Sequence, residues 1–130
     1  MSSNTIRDTQ SSSALDLNKF IRDVTTLVAE SITRFVMSKI PRKRVREVNV
    51  VVTLRDPKRL LFEIDVEVLT DALVKDEEVN RVVDEAVDYG FKLLDEIVPL
   101  IERGVYDLAE IRRAIKRVER QYINPDTQKR

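Results

Sequence analysis

Three groups of side chains have the types and spacing that chemistry requires. Glu63, Asp65 and Glu67 alternate along "LLFEIDVEVL", so in an extended strand their carboxylates share one face at steps of about 6–7 Å. Asp84 and Asp88, four residues apart, share a helix face. Paired carboxylates can act as acid and base or hold Mg2+. The second group is "IPRKRVREV", Ile40 to Val48, in which Arg42, Lys43, Arg44 and Arg46 form a short basic run of the kind that contacts phosphate in nucleic acids. The third comprises Arg112, Arg113, Lys116, Arg117 and Arg120. They form the basic face of an amphipathic segment that could meet RNA, an anionic membrane or an acidic protein.

What accompanies these groups limits their chemistry. The sequence has no His and no Cys, which removes the commonest metal ligand, the usual general base, thiolate nucleophiles and disulfides. Glycine occurs only at positions 90 and 104, so there is neither a Gly-rich phosphate loop nor the GXXG loop of a KH domain. An RRM platform needs aromatics on the open sheet face, where this chain offers Asn49, Val51 and Thr53 beside three carboxylates. The acids therefore read as a solvated face, and the expectation is a protein that is not an enzyme and holds no metal or cofactor.

The net charge of zero conceals an asymmetry. Residues 1–55 carry ten basic and five acidic side chains, residues 56–102 five and fourteen, and residues 103–130 eight and four. With 35% charged residues, 5% aromatics and fifteen Arg against eight Lys, the composition suits an ion-rich, thermophile-like surface. No segment approaches the ~18 apolar residues of a membrane span. "MSSNTIRDTQSSSA" lacks the apolar stretch of a signal peptide, so a cytoplasmic location without membrane contact is expected.

Hydrophobic periodicity supplies the elements that must position these groups. Residues 1–13 are Ser-rich without apolar spacing, which predicts a mobile arm; residues 14–130 then form a single domain, its core over about 16–103. Leu17, Phe20, Ile21, Val24, Leu27, Val28, Ile32, Phe35 and Val36 recur at helical spacing. Asp16 or Asn18 could cap this helix, and Pro41 ends it. The period then changes to two, with Val48, Val50, Val52 and Leu54 on one face of a first strand and Leu60, Phe62, Ile64, Val66 and Val68 on one face of a second. A five-residue connection over 55–59 would set Leu54 opposite Leu60 and Val50 opposite Ile64, unless a bulge intervenes. A second helix, starting near Asp71 or Asp76, carries a wide apolar stripe from Val79 to Ile101, with Pro99 loosening its last turn and Gly104 suiting its stop. Asp107 and Glu110 have the form of a capping box before a C-terminal amphipathic helix over about 107–123.

The expected class is α+β: a helix, a two-stranded antiparallel hairpin, then two helices packed on one sheet face. A lone hairpin is not stable in water, and both of its edges would stay open for pairing with another chain. We therefore expect a homodimer whose sheet is completed or extended across the subunits. In this topology the basic run at 42–46 links a helix C-terminus, which favours cations, to the first strand. It should lie beside Asp71, Asp76, Glu77 and Glu78. Local charge matching then explains the run better than phosphate binding does, and Leu108, Ile111, Ile115, Val118 and Tyr122 of the last helix read as core.

Ile21 to Ile101 resembles a small archaeal family known only as a domain of unknown function. "RFVMSKIPRKRVREVNVVVTL", "FEIDVEVL" and "VDEAVDYGFKLLDEI" carry the likeness. It covers roughly two thirds of the chain; the Ser-rich arm and the last helix extend the pattern. The resemblance implies archaeal origin and an α-β-β-α core. Genes of the family that lie beside the prefoldin beta subunit point to protein homeostasis or information processing and assign no activity. The expected function is a non-enzymatic interaction or assembly protein with an unknown protein partner. The alternative is an RNA- or DNA-associated accessory protein that uses residues 42–46 and the basic C-terminal helix.

Overall fold

The computed structural model describes residues 2–123, with side chains from position 16 onward. Helix α1 (Ser2–Lys39) leads through a 3-10 turn (Arg42–Arg44) to strands β1 (Val45–Asp56) and β2 (Leu61–Thr70), then to helices α2 (Asp76–Glu102) and α3 (Leu108–Tyr122). This is the expected α+β order. The arm expected over residues 1–13 lies outside the described side chains. Asp16 and Asn18 do not cap α1, because both lie within it: no Pro or Gly before them interrupts the helix.

Val24, Val28, Ile32 and Val36 follow at steps of four and are fully buried, with Phe35 beside them. One long apolar seam thus runs down α1. The helix stops where Pro41 forbids continuation, and the Arg44 N–H turns back to the Pro41 carbonyl at 2.8 Å.

β1 and β2 form a two-stranded antiparallel sheet in which Val48, Val50, Val52 and Leu54 face Val68, Val66, Ile64 and Phe62. The even residues share one face, as expected, but the expected pairing of Leu54 with Leu60 is replaced by a register two residues away. The cause lies in the turn. Asp56 still pairs with Leu61, past a bulge after Leu54, and its carboxylate accepts the N–H groups of Lys58 and Arg59 at 3.0 and 3.3 Å. Pro57 suits the second position of such a turn, and Leu60 closes it in the left-handed region at φ 52°.

α1 packs against β1 and α2 against β2, covering the even-numbered face, while α3 packs on α1 and α2 on the side away from the sheet. Gly90 permits the close approach. A Cβ there would stand 2.6 Å from Ile64 Cδ1 and 2.7 Å from Ile32 Cδ1, so this one position brings α2, α1 and β2 together. α2 runs on through Pro99 to Glu102. It ends in a Schellman motif, with Gly104 N–H on the Ile101 carbonyl and Val105 N–H on that of Leu100, both at 2.9 Å. Gly104 has φ 80°, which disfavours any residue with a Cβ. Asp107 caps α3 through Ala109 N–H at 2.9 Å. The reciprocal half of the expected capping box is not made: the Glu110 carboxylate pairs with Arg113 instead.

Candidate functional site

The basic run begins where α1 ends and crosses into β1. Its middle residue is held: Arg44 Nη1 donates to Asp71 Oδ2 at 3.2 Å, and the Asp71 N–H donates to the Arg44 carbonyl at 3.0 Å. Partial burial pulls the Asp71 carboxyl upward. The Leu73 N–H, Arg44 and the nearby charge of Arg46 together outweigh this and hold it below the usual range. Asp71 is thus the acidic neighbour anticipated from the topology. Asp76, Glu77 and Glu78 instead open α2, where they complement its dipole, and none of them pairs with the run among the described residues. Arg42, Lys43 and Arg46 are exposed. Arg42 shares a depression of about 350 Å3 with Arg34, Thr33, Met37 and Ser38.

On α3, the residues Ile111, Ala114, Ile115 and Val118 are buried in the core, so the apolar face of this helix is already occupied by α1 and α2. Arg112, Arg113, Lys116, Arg117 and Arg120 face outward and are exposed. Arg113 is engaged by Glu110. The other four form no ion pair among the described residues.

The uncovered face of the sheet carries Asn49, Val51 and Thr53 opposite Glu67, Asp65 and Glu63. Arg55 donates twice to Glu63, at 2.7 and 3.1 Å, and this hydrogen-bonded pair holds the Glu63 carboxyl below its usual range. Asn49 Nδ2 donates to Glu67 at 3.1 Å. Two of the three carboxylates are therefore taken up within the hairpin. Asp84 and Asp88 are exposed on α2. No three acidic side chains converge on a metal-sized site among the described residues, and no helix there is long and apolar enough to cross a membrane.

Two features are announced by no pattern of residues along the chain. The first is a polar chain through the helical layers. Ser31, the one polar residue among the described buried side chains of α1, has 0% exposure. Its hydroxyl donates to Glu119 Oε2 at 2.8 Å and lies 2.6 Å from the Tyr89 hydroxyl. Since the Ser31 proton goes to the carboxylate, Tyr89 must donate to Ser31. Arg34 closes the chain, giving Glu119 Oε2 two hydrogen bonds at 2.9 and 2.7 Å. Burial pushes the Tyr89 phenol up to about 12; the Ser31 hydrogen bond and Arg34 oppose this, and the Glu119 charge adds to it. Tyr89 also stacks on Phe35, centroids 4.6 Å apart.

The second feature is a groove of about 840 Å3 beside the hairpin tip, with Leu17, Ile21, Leu54, Leu60, Ile101 and Tyr106 among its walls. A smaller hollow of about 400 Å3, lined by Leu60, Phe62 and Phe91 among others, shares Leu60 with it. Their residues come from four separate segments, so no local motif announces them.

A hairpin covered by two helices, with both strand edges unpaired among the described residues and a third helix packed on those two, defines the class of this protein: a small α+β domain. Residues 17–97 match the family described as "Protein of unknown function (DUF3194)", and the chain belongs to this family. The match spans the α1–hairpin–α2 core and ends within α2. No curated protein and no solved structure matches the chain.

Proposed function

We propose that the protein is a non-enzymatic interaction or assembly protein of the archaeal cytoplasm that works as a homodimer. The open hairpin supports this reading most directly. Its strands, 12 and 10 residues long, pair only with each other among the described residues. Each therefore carries a row of backbone N–H and C=O groups toward its outer edge. Long unprotected edges are templates for another chain, and strand addition is an established mode of protein recognition. Sedimentation equilibrium at micromolar concentration tests the proposal: a dimer is expected, and a stable monomer refutes homodimeric assembly.

A second reading, association with RNA or DNA, draws on one observation. Arg42 and Lys43 are exposed and form no ion pair among the described residues, and the same holds for Arg112, Lys116, Arg117 and Arg120 on α3. Binding to generic RNA at low and moderate salt tests it. Binding with a steep salt slope that flattens when Arg42, Lys43 and Arg44 are changed to Ala would favour this reading. Absence of binding at low salt would remove it.

A further inference from the structure

We infer that two copies join through β1, antiparallel to itself, with the two-fold axis passing through Val51. This rests on the homodimeric reading above and specifies its interface. An antiparallel pair of identical strands with a two-fold normal to the sheet keeps both covered faces on the same side, building one four-stranded sheet with helices on one face. Residues facing each other must then project to the same side, so even residues oppose even and odd oppose odd. The axis therefore passes through a residue, not between two.

Charge decides which strand. Along the uncovered face β2 presents Glu63, Asp65 and Glu67. Self-pairing centred on Asp65 opposes Asp65 to itself and Glu63 to Glu67. Centres one residue to either side oppose Glu63 to Asp65 or Asp65 to Glu67. Each arrangement sets like charges face to face, which is destabilising. β1 has no such barrier. Its uncovered face carries Glu47, Asn49, Val51, Thr53 and Arg55, acidic at one end and basic at the other.

Complementarity then decides the register. The regular part of β1 lies between irregularities at Val45/Glu47 and Leu54/Asp56, so centres at Val50 and Val51 use it most fully. Centring on Val51 opposes Val50 to Val52 and Val48 to Leu54 on the covered face, and Asn49 to Thr53 on the other. It brings Glu47 of each copy beside Arg55 of the second, twice by symmetry, and Arg55 can hold its own Glu63 at the same time. It also covers Val51, the apolar side chain in the middle of the open face, which is 55% exposed. Centring on Val50 sets Glu47 against Thr53 and Asn49 against Val51, and leaves Arg55 without the acid. β1 pairing with the β2 of another copy would be head-to-tail, giving a ring or a filament and not a two-fold dimer.

The chain has no cysteine, which makes cross-linking clean. Directly opposed residues on antiparallel strands have Cα atoms about 4.5–5.5 Å apart, within disulfide reach. The Val51→Cys protein should therefore oxidise to a covalent dimer in nearly quantitative yield, and Asp65→Cys should not. In sedimentation equilibrium, Glu47→Lys and Arg55→Glu should each dimerise about tenfold or more weakly than wild type. A 1:1 mixture of the two should recover wild-type affinity, because each heterodimer places Lys or Arg opposite Glu at both ends. Circular dichroism confirms that each variant is folded, and the cross-link is read independently of the charge variants. A monomeric wild-type protein overturns both the homodimeric reading and this interface. A dimeric wild type in which Val51→Cys does not cross-link, or in which the mixture binds no better than its parents, overturns the β1 interface alone. So does growth into filaments.

Discussion

Replacing Glu119 with Ala should destabilise the protein mainly through a residue on another helix. Ser31 is fully buried and donates to Glu119 Oε2. Without that acceptor, Ser31 and Tyr89 hold two hydroxyl protons and only one mutual hydrogen bond, so one buried donor is orphaned, at a cost of about 1–3 kcal/mol. The Arg34–Glu119 pair adds little. The Arg34 side chain is 53% exposed against 16% for Glu119, and a partly solvated pair contributes about 0–1 kcal/mol. Glu119→Ala should therefore cost about 1–4 kcal/mol, and Arg34→Ala no more than about 1 kcal/mol. With a urea slope of roughly 2 kcal/mol per M, the midpoint of unfolding should fall by about 0.5–2 M in the first variant and by about 0.5 M at most in the second. The double variant Ser31→Ala/Glu119→Ala should be less destabilised than the sum of its singles, because Ala at 31 leaves no Ser31 donor to orphan. If Arg34→Ala costs as much as Glu119→Ala, or if the two singles at 31 and 119 simply add, the assignment of the cost to the buried donor is wrong.

Gly90→Val should destabilise by about 1–3 kcal/mol, since its added atoms must displace the packed ends of Ile32 and Ile64; chemical denaturation reads this, and a neutral result would mean that the three elements separate easily. Tyr89 gives stability a pH dependence on the alkaline side. Its folded pKa of about 12 lies above the ordinary 10.0, so the folded state retains a proton that the unfolded state has lost. The contribution is full below pH 10 and disappears as pH rises toward 12. Tyr89→Phe should flatten that alkaline slope in urea titrations while costing about 0.5–1.5 kcal/mol at neutral pH; an unchanged slope would contradict the buried-phenol account.

Elements whose signals are local were legible in the residues. Pro41 stops α1 because its ring acts on the residue before it, and the alternation Val48-Val50-Val52-Leu54 marks a covered strand face whatever its partner. The register was not legible, because a turn with Asp56 accepting two N–H groups, and a leucine at positive φ closing it, adds a bulge that alternation does not encode. Asp16 and Asn18 do not cap α1 for a related reason: a good capping residue has no effect where helix simply continues through it. Of the candidate sites, the charge-matched setting of Arg44 could be placed from topology alone, since the start of β1 must lie beside the end of β2. The Ser31–Tyr89–Glu119 chain could not. Its members are 58 and 88 positions apart, and a serine in an apolar seam looks, in one dimension, like an imperfection. Gly90 was similarly silent, because a missing side chain acquires meaning only once Ile32 and Ile64 are known to press against it.

Leu60 sits where the backbone would prefer a glycine. A left-handed leucine costs roughly 1–2 kcal/mol relative to a right-handed one, yet Leu60 lines at once the groove of about 840 Å3 and the hollow of about 400 Å3. Glycine would relieve the backbone and take a side chain from the wall of both spaces at once. The shape of both spaces at this end of the molecule therefore depends on the one residue that its turn least favours.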